Sequence, residues 1–480
     1  MAHDERADVG DEGEPPPPRE VLELPTGIPA FLGPTAWARG EAGEDLAMVP
    51  TPVGSLAELH LRFGAPYPDP IEMEVVEAAA GAFAVTRCAV RGVPSRLLHW
   101  AVAHFFANGG RRCWIVSTGA HDAPVALGGE PGAPGLLEGL AALDGADEPD
   151  LVLSPDALAL APEEHAALAR TLLARCAVPR RRFAVLDVRE GLGPLDEPAL
   201  AAARALFGEA DLDRGAAYYS FLRTTWPPVV AEDEATGASN VRVNLVRASG
   251  ETHVVDLLEL RDGAERAALP PLPAAYDVAR AAIAARRLVL PPSGAVAGVY
   301  AATDESRGVW KAPASVALEE VEAPAVAIDA VAQERLNVDA ATGRSINVVR
   351  GFPGRGTLLW GARTLAGNDN EWRYVPVRRY LAMLEESIDR STHWTVYEPN
   401  EERTWTAVRA LVENYLVKKW RCGALAGATP REAFYVRCGL GSTMTEEDVA
   451  AGRLILEVGV AVVRPAEFIL LRIAHAIEPD

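Results

Sequence analysis

Between residues 95 and 222, short apolar strands alternate with amphipathic helices. Leu97, Leu98, Val102, Phe105 and Phe106 recur at helical spacing, and Asn108-Gly109-Gly110 closes that helix. Strand-like runs follow at 113–116, 151–153, 183–188 and 216–222, separated by helical patterns at 136–143, 156–176 and 197–207. Strands this short and apolar on both faces need a helix on each side, so the alternation predicts a parallel sheet covered by helices. An α/β domain is expected over about 95–300, interrupted by an insertion at 231–275. The insertion carries a hairpin pattern around Ser249-Gly250.

The remainder reads differently. Residues 1–20 are acidic and then Pro-rich, ending in Pro15 to Pro18, a composition that predicts a disordered tail. Residues 21–94 read as an N-terminal strand, within 21–33, and a small linking segment. Residues 301–480 read as an α+β domain, with helices at 324–337, 378–390 and 400–421. Strand-like runs there fall at 346–350, 357–361, 372–377, 433–438, 453–463 and 466–474. The last two are apolar on both faces, which asks for cover on both sides. Two readings fit the final run: a strand completing the chain's own core, or an arm that adds to a neighbour's sheet.

The balance of charge narrows the function. Sixty-seven Asp and Glu against forty-six Lys and Arg give a net charge of −21, a surface that repels phosphate backbones. No nucleic-acid partner is expected. Lys stands only at 311, 418 and 419; every other fixed cation is Arg. The five cysteines form no C-x-x-C pair, as expected of reduced thiols in a chain folded in the cytoplasm. The first residues lack the basic and apolar regions of a secretory signal, and no run of about 18 apolar residues occurs, so no membrane insertion is expected.

Motifs for chemistry are missing. There is no P-loop, no H-E-x-x-H, no paired C-x2-C and no G-x-S-x-G. No catalytic, cofactor-binding or metal-ligating residue is therefore predicted. His99 and His104, five apart, read as packing residues. Gly351 to Gly356 follows a strand without opening a helix and reads as a turn between strands. Asn400 is the expected cap of the 400–421 helix, with Glu401 and Glu402 on its positive end. Asp187, at a strand end, is the residue an α/β enzyme would use; a helix-capping Asp is the alternative.

A set of stretches in fixed order resembles the contractile tail sheath proteins of phages and phage-tail-like injection particles. They include Val289 to Gly294, Ala297 to Ala301, Thr303-Asp304, Arg307 to Ala314, Leu336-Asn337 and Ile346-Asn347. Trp360 to Leu365, Trp372 to Val375, Arg378-Arg379, Glu398 to Asn400, Ala433 to Val436 and Arg464 to Phe468 continue it. The resemblance runs over about 25–480, and Phe105 to Gly110 fits the family's early domain. It implies an outer α/β domain and a C-terminal α+β sheath domain completed by the N-terminal segment.

The function so implied is structural. Subunits would stack as six-membered rings around an inner tail tube, and contraction would drive the tube through a target envelope. Partners would be further copies of the chain, the tube protein, and baseplate and terminator or cap proteins, with no cofactor. Assembly would take place in a phage tail or similar particle, released by lysis. Terminal arms would join neighbouring subunits through Phe468, Ile469, Leu471 and Ile473 at one end and Val21, Leu22 and Leu24 at the other. The chain departs from the family at its start, where acidic and Pro-rich residues replace an extended apolar arm. An α/β enzyme, or a tail component sharing only the C-terminal domain, are the other readings.

Overall fold

The computed structural model describes residues 20–476 except 80, 131, 179–180, 265, 267–268 and 464–468, with side chains described to residue 463. The chain divides into two compact units: residues 25–382, and residues 383–480 together with the segment before residue 25.

The larger unit is built on a nine-stranded sheet. Its parallel centre runs Asn347–Phe352, Gly215–Tyr219, Phe183–Asp187, Leu151–Leu153, Pro29–Thr35 and Cys113–Ala120. Antiparallel strands Gly356–Trp360 and Val316–Ala317 close one edge, and Thr51–Val53 the other. Alternating residues serve two cores. Ala30 and Leu32 pack with Val116, Val152, Leu168 and Leu172 on one face. Phe31 packs with Ile115, Val185, Val102, Phe105 and Tyr300 on the other. Complete burial on both faces fits the unbroken apolar runs of the sequence.

The parallel sheet expected from the alternation is present, but its membership differs from the expected division at residue 300. Strands 29–35 and 347–360 lie outside the predicted 95–300 domain, yet both belong to this sheet. The expected strand at 21–33 begins only at Pro29. Residues 372–377, strand-like in pattern, instead lead into helix Val375–Thr392. The helix expected at 324–337 is confined to Ala330–Asn337, where Asp329 caps it, and Val321–Pro324 is a strand.

Close approach of two helices explains one recurrent sequence stretch. Helix Ser293–Arg307 lies against helix Leu98–Ala107. Gly294 and Gly298, four apart on its facing side, meet the backbone at Ala101 and Phe105, where any Cβ would collide. A four-stranded sheet, in the order Thr252–Asp256, Val241–Val246, Ile71–Ala79 and Ala82–Ala89, makes a satellite. Helices Leu257–Asp262 and Pro273–Ala284 supply its core through Leu257, Leu260, Ala275, Ala279 and Ile283. The hairpin expected around Ser249-Gly250 is there, but its second strand stops at Asp256. The Asp256 carboxylate accepts from the Leu258 amide and starts a helix where LLEL reads as more strand.

The smaller unit holds helix Glu402–Arg421 and a three-stranded antiparallel sheet of Phe434–Cys438, Arg453–Val460 and Ile469–Ala476. Leu454, Leu456, Val458 and Val460 of the central strand are buried, as are Trp405, Val408, Leu411, Val412 and Leu416 of the helix. This mixed architecture agrees with the α/β and α+β expectation.

Candidate functional site

Within the smaller unit, residues 21–24 carry no regular secondary structure and join no sheet. The Leu22 amide donates to Ser391 Oγ at 3.0 Å, and the Leu24 amide to Ser387 Oγ at 3.1 Å. Serines four apart stand one above the other on a helix face, about 6 Å apart. Alternate amides of an extended chain are about 6.6 Å apart, so the two spacings match. Tyr415 Oη donates to Glu23 Oε2 at 3.2 Å, Lys419 pairs with Glu23, and Lys418 reaches Glu20 at 2.5 Å. Two of the chain's three lysines are therefore spent on this segment. The Lys418 ammonium, by hydrogen bond and charge, holds Glu20 below the usual carboxylate range.

The expected arm residues fall as follows. Val21 is buried, Leu24 half-buried, and Leu22 is 70% exposed. They form no strand, because the amides of residues 22 and 24 bind serine hydroxyls. Ile469, Leu471 and Ile473 lie in a strand, opposite Val460, Val458 and Leu456 of the same chain. Phe468 lies outside the described residues. The far edges of Ile469–Ala476 and Phe434–Cys438 have no strand partner among the described residues. Such edges are places where another strand can add. Asn400 does not cap its helix by side chain: its Oδ1 accepts from Trp405 Nε1 at 2.7 Å, and its Nδ2 donates to the Arg453 carbonyl.

In the larger unit, sequence reasoning missed the role of its own landmarks. Arg379 is buried and donates to Asp304 at 2.6 and 3.1 Å and to Asp150 at 2.9 Å. Its guanidinium lies 4.9 Å from the Tyr300 ring centre, and Tyr300 Oη is 2.5 Å from Tyr218 Oη. Asp150 also accepts the amides of Gly27 and Ile28. Burial works against the Arg379 charge, but the two carboxylates outweigh it and keep the guanidinium protonated. Asp304 and Arg379 were visible as resembling residues; nothing in their spacing showed that they meet.

The strand ends where an α/β enzyme would bind its substrate are filled by the chain itself. Asp187 accepts from the Ser293 amide at 2.9 Å and from Ser293 Oγ at 2.6 Å. Asp156 accepts the Leu97 and Leu98 amides, both at 2.8 Å. Each carboxylate sits on the start of a helix whose own cap residue, Pro292 or Leu97, offers no side-chain acceptor. Burial pushes both carboxyls up to about 7. The cavity beside Asp187, lined by Ser154 and His165, holds about 10 Å³, room for at most a water. Asp187 is thus a capping group. His99 stacks on His60, and His104 is fully buried against Trp226, both as packing residues. Gly351 to Gly356 turns one strand into the next. Among the described residues, no group of three or more His, Cys, Asp or Glu is placed to hold a metal, and no helix is long and apolar enough to cross a membrane.

Among the described residues, these features make a scaffold whose smaller sheet has two edges without a strand partner. Residues 367–475 match the model of the phage tail sheath C-terminal domain. The tail sheath protein of Vibrio phage KVP40 is 29% identical over 127 residues, 26% of this chain and only 19% of that protein. Two solved structures align over nearly everything. One, a PVC sheath complex of an extracellular contractile injection system in the contracted state, is 25% identical with a TM-score of 0.62, covering 98% of each chain. The other, the anti-feeding prophage helical sheath in its contracted state, is 28% identical with a TM-score of 0.59, covering 97% of this chain and 98% of that one. Residues 367–475 thus match a sheath C-terminal domain, and the chain as a whole is similar to sheath subunits of contractile injection systems.

Proposed function

We propose that this chain polymerises as stacked six-membered rings around an inner tail tube, and that contraction of the sleeve drives the tube through a target envelope. The observation that carries the reading is end-to-end correspondence with subunits seen in an assembled helical sheath. A further relative in an anti-feeding prophage baseplate, 27% identical over 98% of both chains, supports baseplate contact as well. The unit formed by residues 383–480 and the N-terminal segment would face the tube. Assembly would follow folding in the cytoplasm, with release by lysis.

Terminal arms would join the subunits. Phe468, Ile469, Leu471 and Ile473 would supply a strand to a neighbour, and Val21, Leu22 and Leu24 would secure the opposite end. The edge at Phe434–Cys438, which has no strand partner among the described residues, and the exposed Leu22 support this. Each buried apolar side chain contributes about 1.5–3 kcal/mol, against about 1–2 kcal/mol per residue for ordering the arm. The net per arm is small, and repetition along the sleeve makes it effective.

Negative-stain electron microscopy of the chain, alone and with its tube protein, tests the assembly. Striated hollow tubes or six-fold rings are expected; dispersed monomers in both samples would refute it. Truncation before Ala466 should leave folded protein that builds no sheath. Full sheaths from the truncated chain would remove the strand-donation role.

A further inference from the structure

The chain carries an excess of twenty-one carboxylates, yet four arginines in one stretch pair with none among the described residues. Residues 344–379 hold seven arginines against Asp369 and Glu371. Arg344, Arg378 and Arg379 pair with carboxylates. Arg350, Arg355, Arg363 and Arg373 form no ion pair among the described residues. They lie on aromatic rings, two to a ring. Arg350 and Arg355 stand 5.0 and 5.9 Å from the Phe352 ring centre. Arg363 and Arg373 stand 5.0 and 5.6 Å from that of Tyr374.

Two like charges beside one ring repel. Burial first, then the neighbouring Arg373 charge, draws the protonation of Arg363 below the ordinary arginine range. Arg363 donates one bond, to the Gly367 carbonyl at 2.6 Å; Arg350 and Arg355 donate one each, to Gln333 and Ser315. The Arg373 guanidinium donates none among the described residues, and its Nε is buried without a partner. A ring fixes the plane of a guanidinium while leaving most of its five N–H groups unspent. Such an arginine is pre-organised for a carboxylate, since little side-chain freedom remains to be lost.

We propose that these two Arg–aromatic–Arg clusters are the cationic half of a contact with carboxylates of a second copy of this chain. The inference rests on the sheath reading. Copies with a net charge of −21 repel one another, and cations without local counter-charges on one copy offset that repulsion where they face carboxylates of the next. Phe352 and Asn347 are the two ends of one strand, and Arg363 lies beside Asn347. The two clusters are therefore about 17 Å apart, within the span of a single protein–protein interface.

The test uses full-length protein in sedimentation and negative-stain assays from about 50 to 500 mM NaCl, a range that shortens electrostatic reach severalfold. Arg363→Gln/Arg373→Gln should raise the concentration needed for assembly roughly tenfold at low salt and flatten its salt dependence. Arg363→Lys/Arg373→Lys, which keeps charge but loses the planar fork, should fall between. Arg350→Gln/Arg355→Gln, at an exposed hairpin end, provides the same comparison should the first variant fail to fold. Folded variants that assemble like wild type at every salt concentration would overturn the inference and leave the sheath reading intact. A wild-type chain that never assembles would overturn both.

Discussion

Arg379 grips Asp304 with two parallel hydrogen bonds, of 3.1 and 2.6 Å, inside the larger unit. The pair ties the start of helix Val375–Thr392 to helix Ser293–Arg307, and Asp150 extends it to the entry of strand Pro29–Thr35. Three segments distant in sequence thus share one buried charge.

Removing that charge leaves two carboxylates stranded. Arg379→Ala should destabilise the chain by about 3–5 kcal/mol, the usual consequence of breaking a buried ion pair from one side. Urea unfolding followed by tryptophan fluorescence measures it; a loss under about 1 kcal/mol would show the cluster to be solvated.

The serine pair invites a local measurement. Ser387→Ala/Ser391→Ala deletes the two acceptors for the Leu22 and Leu24 amides, each worth about 0.5–1.5 kcal/mol. Hydrogen exchange of the amides of residues 22 and 24 should accelerate, with the exchange of helix Glu402–Arg421 unchanged. Equal exchange in both proteins would mean that the lysine–glutamate pairs alone hold the segment.

Acid should weaken the fold through buried neutral histidines. Burial lowers His99 to about 3, with the His60 and His121 charges adding to it. Burial likewise lowers His104, His121 and His165 to about 4. A histidine depressed in the folded state stays neutral there while the unfolded chain takes up protons below about 6.5, so stability falls as pH drops from about 6.5 towards 4. Asp156 and Asp187 work the other way: raised to about 7, they contribute most below pH 4 and lose that contribution as pH rises through 7. The histidine contribution to stability should therefore decline between pH 6.5 and 4.5. His99→Phe, which keeps an aromatic ring on His60, should make the decline shallower. An identical pH profile for variant and wild type would exclude His99 as a contributor.

Asp187→Ala strips the start of helix Ser293–Arg307 of its acceptor and leaves the Ser293 hydroxyl buried. A loss of about 0.5–2 kcal/mol from the cap, with more from the unpaired hydroxyl, is expected in thermal or urea unfolding. Asp187→Asn, which retains one acceptor, should lose less. Equal stability of wild type and Asp187→Ala would contradict the capping role.

The sheet's parallel centre was readable because its strands are uniformly apolar and separated by helices of clear period. Its membership was not, since strand Asn347–Phe352 reaches it through pairing with Gly215–Tyr219, and sequence order carries no trace of that. Ile71–Ala79 alternates core Ile71, Met73 and Val75 with Glu72 and Glu74, a strand pattern, but its parallel pairing with Val241–Val246 has no trace in linear order. Val21 to Leu24 resembled a strand by apolar content, but serines more than 360 residues away decide where its amides go. The Arg363–Tyr374–Arg373 cluster depends on an isolated bridge between Arg363 and Tyr374, again invisible in linear order.

Asp156 and Asp187 have a consequence for anion binding. In many doubly wound sheets the helix starts at this rim are occupied by a phosphate that comes and goes, and the protein responds to its concentration. Here the anion is covalently part of the chain, present at unit stoichiometry and unable to dissociate. At these two helix starts a free phosphate would find the amides already taken by the chain's own carboxylates.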